Sequence, residues 1–284
     1  MPDAASQSRL IYLIPFIVLG LLLALFVWAI KPNADEADEG VTAQVSGPQL
    51  DMEGFDPGYI VSDEVFFDSE TMDQDQITEF IEKWNAGCVA GADGAPCLAQ
   101  YVEDSTSWTA DAFCPGDFVG EPGDSAPSII NKAAKACNVN PQVLLTVLQK
   151  EQGLITASGH NLSHDDYAIA MGYGCPDGGA CDPKYMGFAR QIYNAAHQFQ
   201  MYRVQPHKYD VIAGRENSIA YNPDAECGRG EIFVQNQATA GLYNYTPYQP
   251  TEATVKGMPE ECSSWGNMNF YGLFRAWFGD PLGR

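Results

Sequence analysis

Asn140 to Gly153 reads NPQVLLTVLQKEQG, and both ends of this stretch carry helix signals. Asn140 suits the N-cap, where a short side-chain acceptor meets a free backbone N–H. Pro141 suits the first helical position, because its missing N–H would have no intrahelical partner there. Gly153 supplies the left-handed residue that closes a helix. Between them Val143, Leu144, Val147 and Leu148 fall at i, i+1, i+4 and i+5, one apolar stripe. Glu151 continues that stripe, one turn after Val147 and Leu148. The spacing therefore aims a carboxyl group at the core side in the last helical turn. Burial and the negative end of the helix dipole both favour its neutral form. A carboxylic acid that keeps its proton is what protonates the leaving oxygen of a glycoside.

The segment before it completes a helical hairpin. Ser125 opens a helix with Pro127 near its start, and Ile129, Ile130, Ala133 and Cys137 form the inner stripe. Asn138 to Asn140 then makes the turn. Further out, Lys184 to Tyr202 reads as the longest helix, with Phe188, Ile192, Ala195, Ala196 and Phe199 on one face. A helix through Trp84, capped at Met72 or Asp73, presents Ile77, Phe80, Ile81 and Trp84. Phe270 to Phe278 reads as a terminal aromatic helix. Ile60 to Phe67 reads as a short strand or docked extended segment, and Leu98 to Ala112 as partly helical. Ala157 to Tyr173 is polar and turn-rich. Val204 to Tyr221 reads as a hairpin, and Gly230 to Tyr245 as a strand passing into a helix.

The whole chain has 284 residues, 45% of them hydrophobic, enough for one good core or a core with a small module. It carries 37 acids against 15 Lys and Arg, a net charge of −22. That excludes nucleic acid and anionic lipid surfaces as natural partners. Leu10 to Ile30 is uncharged and apolar, and its length spans a bilayer. A cleaved signal peptide has a shorter apolar region, roughly 7–15 residues, and an A-x-A site, which is missing here. A retained anchor is the expectation, with residues 1–9 cytoplasmic and the rest outside. The eight cysteines all follow the anchor, as they do in chains exported to an oxidising space. Residues 31–59 open a long acidic run. From 32 to 80 there are fourteen acids and no Lys or Arg, the composition of a solvated, extended tether. Residues 60–119 then read as a small disulfide-bearing helical module and 120–284 as the main domain.

The cysteines pair most simply by adjacency, as Cys88/Cys97, Cys114/Cys137, Cys175/Cys181 and Cys227/Cys262. Each such pair brackets a Gly/Pro-rich loop or a helix connection. Neither they nor His160, His164, His197 and His207 show zinc-site spacing, so no metal and no cofactor is expected. No G-x-S-x-G, P-loop or dinucleotide-binding motif occurs. Sugars present CH faces and hydroxyls together, and aromatic rings and amides answer both. Among the many such residues in the second half, Tyr173, Gln191, Gln235 and Tyr245 are the candidate glycan contacts.

SAPSIINKAAKACNVNPQVLLTVLQKEQGLIT, residues 125–156, resembles the catalytic hairpin of lysozyme-like lytic transglycosylases. In that likeness Glu151 matches the catalytic acid, and Gln152 stands where those enzymes often have Ser. Their Gly-Leu-Met-Gln loop is matched loosely by Met171, Gly172 and Tyr173 within AIAMGYGCPD. A broader set of motifs covers residues 61–281: SDEVFF, AMGYGCPD, GFARQIYNAA, QNQATAGLYNYTPYQP and the final NFY and WFG. As a set they are similar to the actinobacterial secreted hemagglutinin-like proteins of the lysozyme-like superfamily. The resemblance implies a mainly α, lysozyme-like domain and glycan chemistry, with peptidoglycan or a related wall glycan as partner. It adds Gln152 and Met171 to the expected contacts. No second catalytic carboxylate stands out, and Asp165, Asp166, Asp177 and Asp182 are the candidates on polar loops. Two other readings keep the same fold: a wall-binding or adhesion module without catalysis, and a structural subunit of an envelope complex with protein partners.

Overall fold

The computed structural model describes residues 47–284. The expected span at 10–30 and the first part of the acidic segment lie outside the described residues. Among the described residues no helix is long and apolar enough to cross a membrane.

The described chain is mainly helical, with four disulfides and two small antiparallel sheets. The stretch Asn140–Gly153 forms its central helix. In chain order the helices are α1 (Asp63–Phe66), α2 (Gln74–Trp84), α3 (Ala126–Cys137) and α4 (Pro141–Gln152). They continue with α5 (His164–Ala168), α6 (Phe188–Val204), α7 (Gln237–Tyr245), α8 (Glu252–Val255) and α9 (Gly266–Phe278). Asn140 caps α4 by accepting from the Gln142 N–H at 2.8 Å, and its amide donates to the Val65 carbonyl at 2.7 Å. One buried side chain thus starts α4 and ties it to α1. Gly153 ends α4 at φ +67°, donating its N–H to the Gln149 carbonyl.

Burial around α4 exceeds the stripe. Val143, Leu144, Leu145, Thr146, Val147 and Leu148 are all buried, so the helix is enclosed on every side. It packs against α3 and α9; α3 packs against α2 and α6, and α6 against α7. Thr146 is accommodated because its hydroxyl donates to the Gln142 carbonyl one turn back. The hairpin turn between α3 and α4 passes through Asn138, left-handed at φ 49°, a conformation Asn tolerates better than most residues.

Residues 47–284 belong to one compact unit. Its core runs without a break from Ile60 to Phe274, drawing on residues before and after 119/120 alike. The acidic segment is not free up to residue 59. Asp51 and Glu53 pair with Arg275 on α9 at 2.9 and 3.1 Å, and the Tyr271 hydroxyl donates to the Glu53 carbonyl at 2.6 Å. The missing side chain of Gly272 makes room, since a Cβ there would lie 2.7 Å from the Met52 sulfur. The countercharge comes from more than two hundred residues downstream, which local composition does not register.

Several local expectations change for identifiable reasons. Residues 63–66 are helical, because Ser62 accepts from the Val65 N–H as an N-cap. Leu98–Gln100 makes one 3-10 turn, after which β1 (Val102–Glu103) pairs with β2 (Asp124–Ser125). Within 157–173 a capping box of Ser163 and Asp166 starts α5. The long helix begins at Phe188, not Lys184, because Gly187 at φ 114° breaks it from the 3-10 turn Pro183–Tyr185. Val204–Tyr221 supplies one strand, β3 (Arg215–Ala220), whose partner is β4 (Arg229–Val234). β4 then passes into α7 through the N-cap Asn236, as read from residues 230–245. The disulfides join Cys88–Cys97, Cys114–Cys137, Cys175–Cys181 and Cys227–Cys262, the adjacent pairing.

Candidate functional site

Three chain segments meet at the C-terminal end of α4. The first is the last turn of α4, carrying Lys150, Glu151 and Gln152. The second is the turn Met171–Gly174. The third is the end of α7, with Tyr245 and Thr246. Tyr245 bolts the last two together by donating from its hydroxyl to the Met171 carbonyl at 2.7 Å. Burial first, and then the charge of Glu151, push that hydroxyl well above its ordinary range, so it stays a neutral donor.

The Glu151 carboxylate is held from two sides. One oxygen contacts the Lys150 ammonium, which also donates to Thr246 Oγ1 at 2.9 Å. The other oxygen faces Gly172, where a Cβ would stand only 3.1 Å away. Gly172 has φ +67°, so both its backbone and its missing side chain serve this approach. Lys150 keeps 5% of its side-chain surface exposed, and Glu151 keeps 23%. The acid is therefore part-buried with one face open. The apolar surround that the stripe implied is replaced on one side by a buried cation. Residues at i and i+1 point roughly 100° apart on a helix, so spacing does not foretell this contact. Lys150 reaches it through its long stem, guided by the hydroxyl of Thr246.

Glu151 opens into a cleft of about 440 Å³ whose walls include Gln152, Asp177, Asn244 and Tyr248. A second cleft, about 650 Å³, lies beyond Gly172, Cys175, Pro176 and Tyr245, which line both. Together they make one groove crossed by the disulfide loop Cys175–Cys181. Asp177 on that loop accepts from the Tyr248 hydroxyl across the first cleft. Burial and then this hydrogen bond push the Tyr248 hydroxyl up to about 12.

The expected contacts separate into three groups. Gln152 and Tyr173 line the groove with their side chains. Met171 and Gln191 are fully buried and act from behind it. Gln191 accepts from the Met171 and Tyr173 N–H groups at 3.1 and 3.0 Å and donates to the Tyr173 and Tyr185 carbonyls, both at 2.9 Å. With all four bonds internal, it shapes the turn and leaves nothing for a ligand. Gln235 lies at the opposite end of α7 from Tyr245 and donates to Asp56 Oδ2 at 3.2 Å, so it takes no part in the groove. Of the candidate second carboxylates, Asp177 shares the Glu151 cleft and Asp182 lines the second one. Asp166 is spent on the α5 capping box, and Asp165 is in the first turn of the same helix. Lys150, Thr246 and Tyr248 were not singled out in the sequence, and Gly172 entered only through the loose loop likeness of Met171 to Tyr173.

Among the described residues a single cluster brings three potential metal ligands within 4.8 Å: Asp111, Cys114 and His197. Cys114 is bonded to Cys137, and two remaining groups fall short of a zinc site. Asp111 instead holds His197 Nε2 at 2.8 Å and accepts from the Phe113 and Cys114 N–H groups. Burial pushes its carboxyl up, but these hydrogen bonds outweigh it and hold it below the usual range.

No protein-family model, curated protein or solved structure matches this chain.

Proposed function

We propose that this chain is a membrane-anchored, extracellular enzyme that cleaves a β-1,4-linked amino-sugar polymer, above all peptidoglycan, with Glu151 as general acid. The observation that carries the reading is the position of Glu151. Its carboxylate is part-buried, fixed from two sides and open to a groove walled by tyrosine and amide side chains. The lysozyme-like and lytic transglycosylase-type resemblance of residues 125–156 supports the same assignment.

In this reading a glycan lies along the groove, and Glu151 gives its proton to the glycosidic oxygen. The C1–O bond breaks, the protonated oxygen leaves with its sugar as an alcohol, and an oxocarbenium-like centre develops at C1 of the sugar that stays bound. Asp177, which lines the same cleft, is the candidate for the second carboxylate. Without it, a hydroxyl of the substrate itself closes on C1, and Glu151 takes back the proton as base. Tyr173, Tyr245 and Gln152 offer ring faces and hydrogen bonds to the sugar.

One observation favours a second reading, a wall-binding module without catalysis. The contact with Lys150 makes Glu151 half of an ion pair, which is a structural use of the carboxylate. Incubation of purified peptidoglycan with the chain, followed by mass analysis, separates the two. Anhydro-ended fragments mean a transglycosylase, new reducing ends a hydrolase, and binding without release the module. For either enzyme, Glu151→Gln is expected to lower the rate by roughly 10²–10⁴. Equal cleavage by wild type and variant would remove Glu151 from the mechanism.

A further inference from the structure

The second cleft is walled by tyrosines in an arrangement that a glycan groove does not require. Tyr173 and Tyr185 stand edge to face, with ring centroids 4.7 Å apart and planes at 84°. Tyr202 and Tyr209 repeat this at 4.5 Å and 85°. All four line the same cavity of about 650 Å³. Two perpendicular ring pairs lining one space make a box with aromatic walls.

The charge of the box is one-sided. Asp182 is the charged side chain on its wall, and no Lys, Arg or His lines it. The phenol groups of Tyr173 and Tyr202 are held neutral. Burial, with a smaller effect of Tyr185, pushes the Tyr173 hydroxyl up to about 12, and burial raises Tyr202 further. Their dipoles are partly spent on each other: Tyr173 donates to Gln198 Oε1 at 3.3 Å, and the Gln198 amide donates to the Tyr209 oxygen at 3.1 Å. What faces the cavity is thus electron-rich ring surface with one carboxylate, in a chain of net charge −22.

The chain itself shows what this surface takes. The ammonium of Lys184, a side chain outside the cavity lining, sits 4.4 Å from the Tyr185 ring centroid and 3.5 Å from Asp182 Oδ2. From outside the cavity, an alkylammonium group thus already contacts one of these rings and pairs with Asp182. Attraction between a cation and an aromatic face is strongest where several rings surround it and water is excluded.

We infer that the cleft formed by Tyr173, Tyr185, Tyr202, Tyr209 and Asp182 is a binding site for a ligand that carries an alkylammonium group on an uncharged stem. The ammonium lies between the ring pairs with Asp182 as countercharge, and the stem points along the groove. This site does not depend on Glu151, so it stands whether or not the chain cleaves glycan.

Choline and 3,3-dimethylbutanol test it, because they share size and shape and differ in charge. Titration of the full-length chain, followed by calorimetry and by shifts of the tyrosine ring resonances, is expected to show choline binding at least about tenfold tighter than the neutral alcohol. Asp182→Asn and Tyr185→Leu are each expected to weaken choline by about three- to tenfold with little effect on the alcohol. Glu151→Gln is expected to leave both affinities unchanged, which separates this outcome from a failure of the catalytic reading. Thermal melting checks that each variant folds. Equal affinity for choline and the alcohol in the wild-type chain overturns the inference, as does no choline binding at millimolar concentration. Loss of choline binding in Glu151→Gln alone would move the cation to the first cleft and also overturn it.

Discussion

Replacing Gly172 by Ala tests how tightly the candidate acid is held. Two costs follow from the structure. The residue has φ +67°, and a side chain in that region costs roughly 1–2 kcal/mol. Part of this is offset, because Ala narrows the unfolded ensemble by about 0.4–1 kcal/mol. The net backbone cost is about 1 kcal/mol. The second cost is the added Cβ, 3.1 Å from Glu151 Oε2. A free carboxylate would swing aside. Here its other oxygen is held by Lys150, whose ammonium is also bound to Thr246. Displacing it moves Glu151 off its rotamer, at about 1 kcal/mol more. The sum is about 2 kcal/mol, a melting decrease of roughly 4–8 °C for a unit of this size. Denaturant and thermal unfolding followed by near-UV circular dichroism measure it. In a Glu151→Ala background the contact is gone, and the cost of Gly172→Ala should fall to about 1 kcal/mol. A neutral Gly172→Ala, or the same cost in both backgrounds, would show that the turn does not brace the acid.

Two further outcomes test the frame around the groove. Asp124 is almost wholly buried and accepts from Ser105 at 2.6 Å and Lys132 at 2.9 Å; burial pushes its carboxyl up, but these bonds win and hold it below the usual range. Its contribution is therefore complete above about pH 4 and fades as pH falls through the depressed folded value; Asp124→Asn should flatten the slope of stability against pH below about 5 and cost roughly 1–3 kcal/mol at neutral pH, read from urea midpoints. Among the disulfides, replacing Cys227 and Cys262 by Ala should cost more than replacing Cys175 and Cys181, by about 1.5 kcal/mol. The sequence separations are 35 and 6, and a longer closed loop restricts the unfolded chain more; a larger loss for the short loop would refute this.

The helices with a cap at each end were legible residue by residue. Asn140, Pro141 and Gly153 set α4 at its observed bounds, because those signals act within a few residues of the backbone they satisfy. Ser125 and the stripe of α3 behaved likewise. The start of α6 was misplaced, because Gly187 reads as an ordinary loop residue until its φ is known. Of the residues that line the candidate groove, Glu151, Tyr173, Tyr245 and Gln152 were legible in the sequence, because local motifs flank them. It was not legible in Lys150, whose role depends on Thr246 ninety-six residues away. Gln191 looked like a sugar contact because an amide's chemistry is visible in sequence and its partners are not. Gln235 failed for a related reason: it sits at the wrong end of the helix that carries Tyr245.

The docking of Asp51 and Glu53 on Arg275 has a mechanical consequence. A load applied to the chain at its N-terminal side does not pull on the core end-on. Asp51 and Glu53 pass it to α9 through Arg275 and the Tyr271 hydroxyl. Because α9 packs on α4, tension on the leading segment is delivered to the helix that carries Glu151. The acidic stretch thus works as a strain-bearing splice, and the groove lies one helix away from the point where the pull enters.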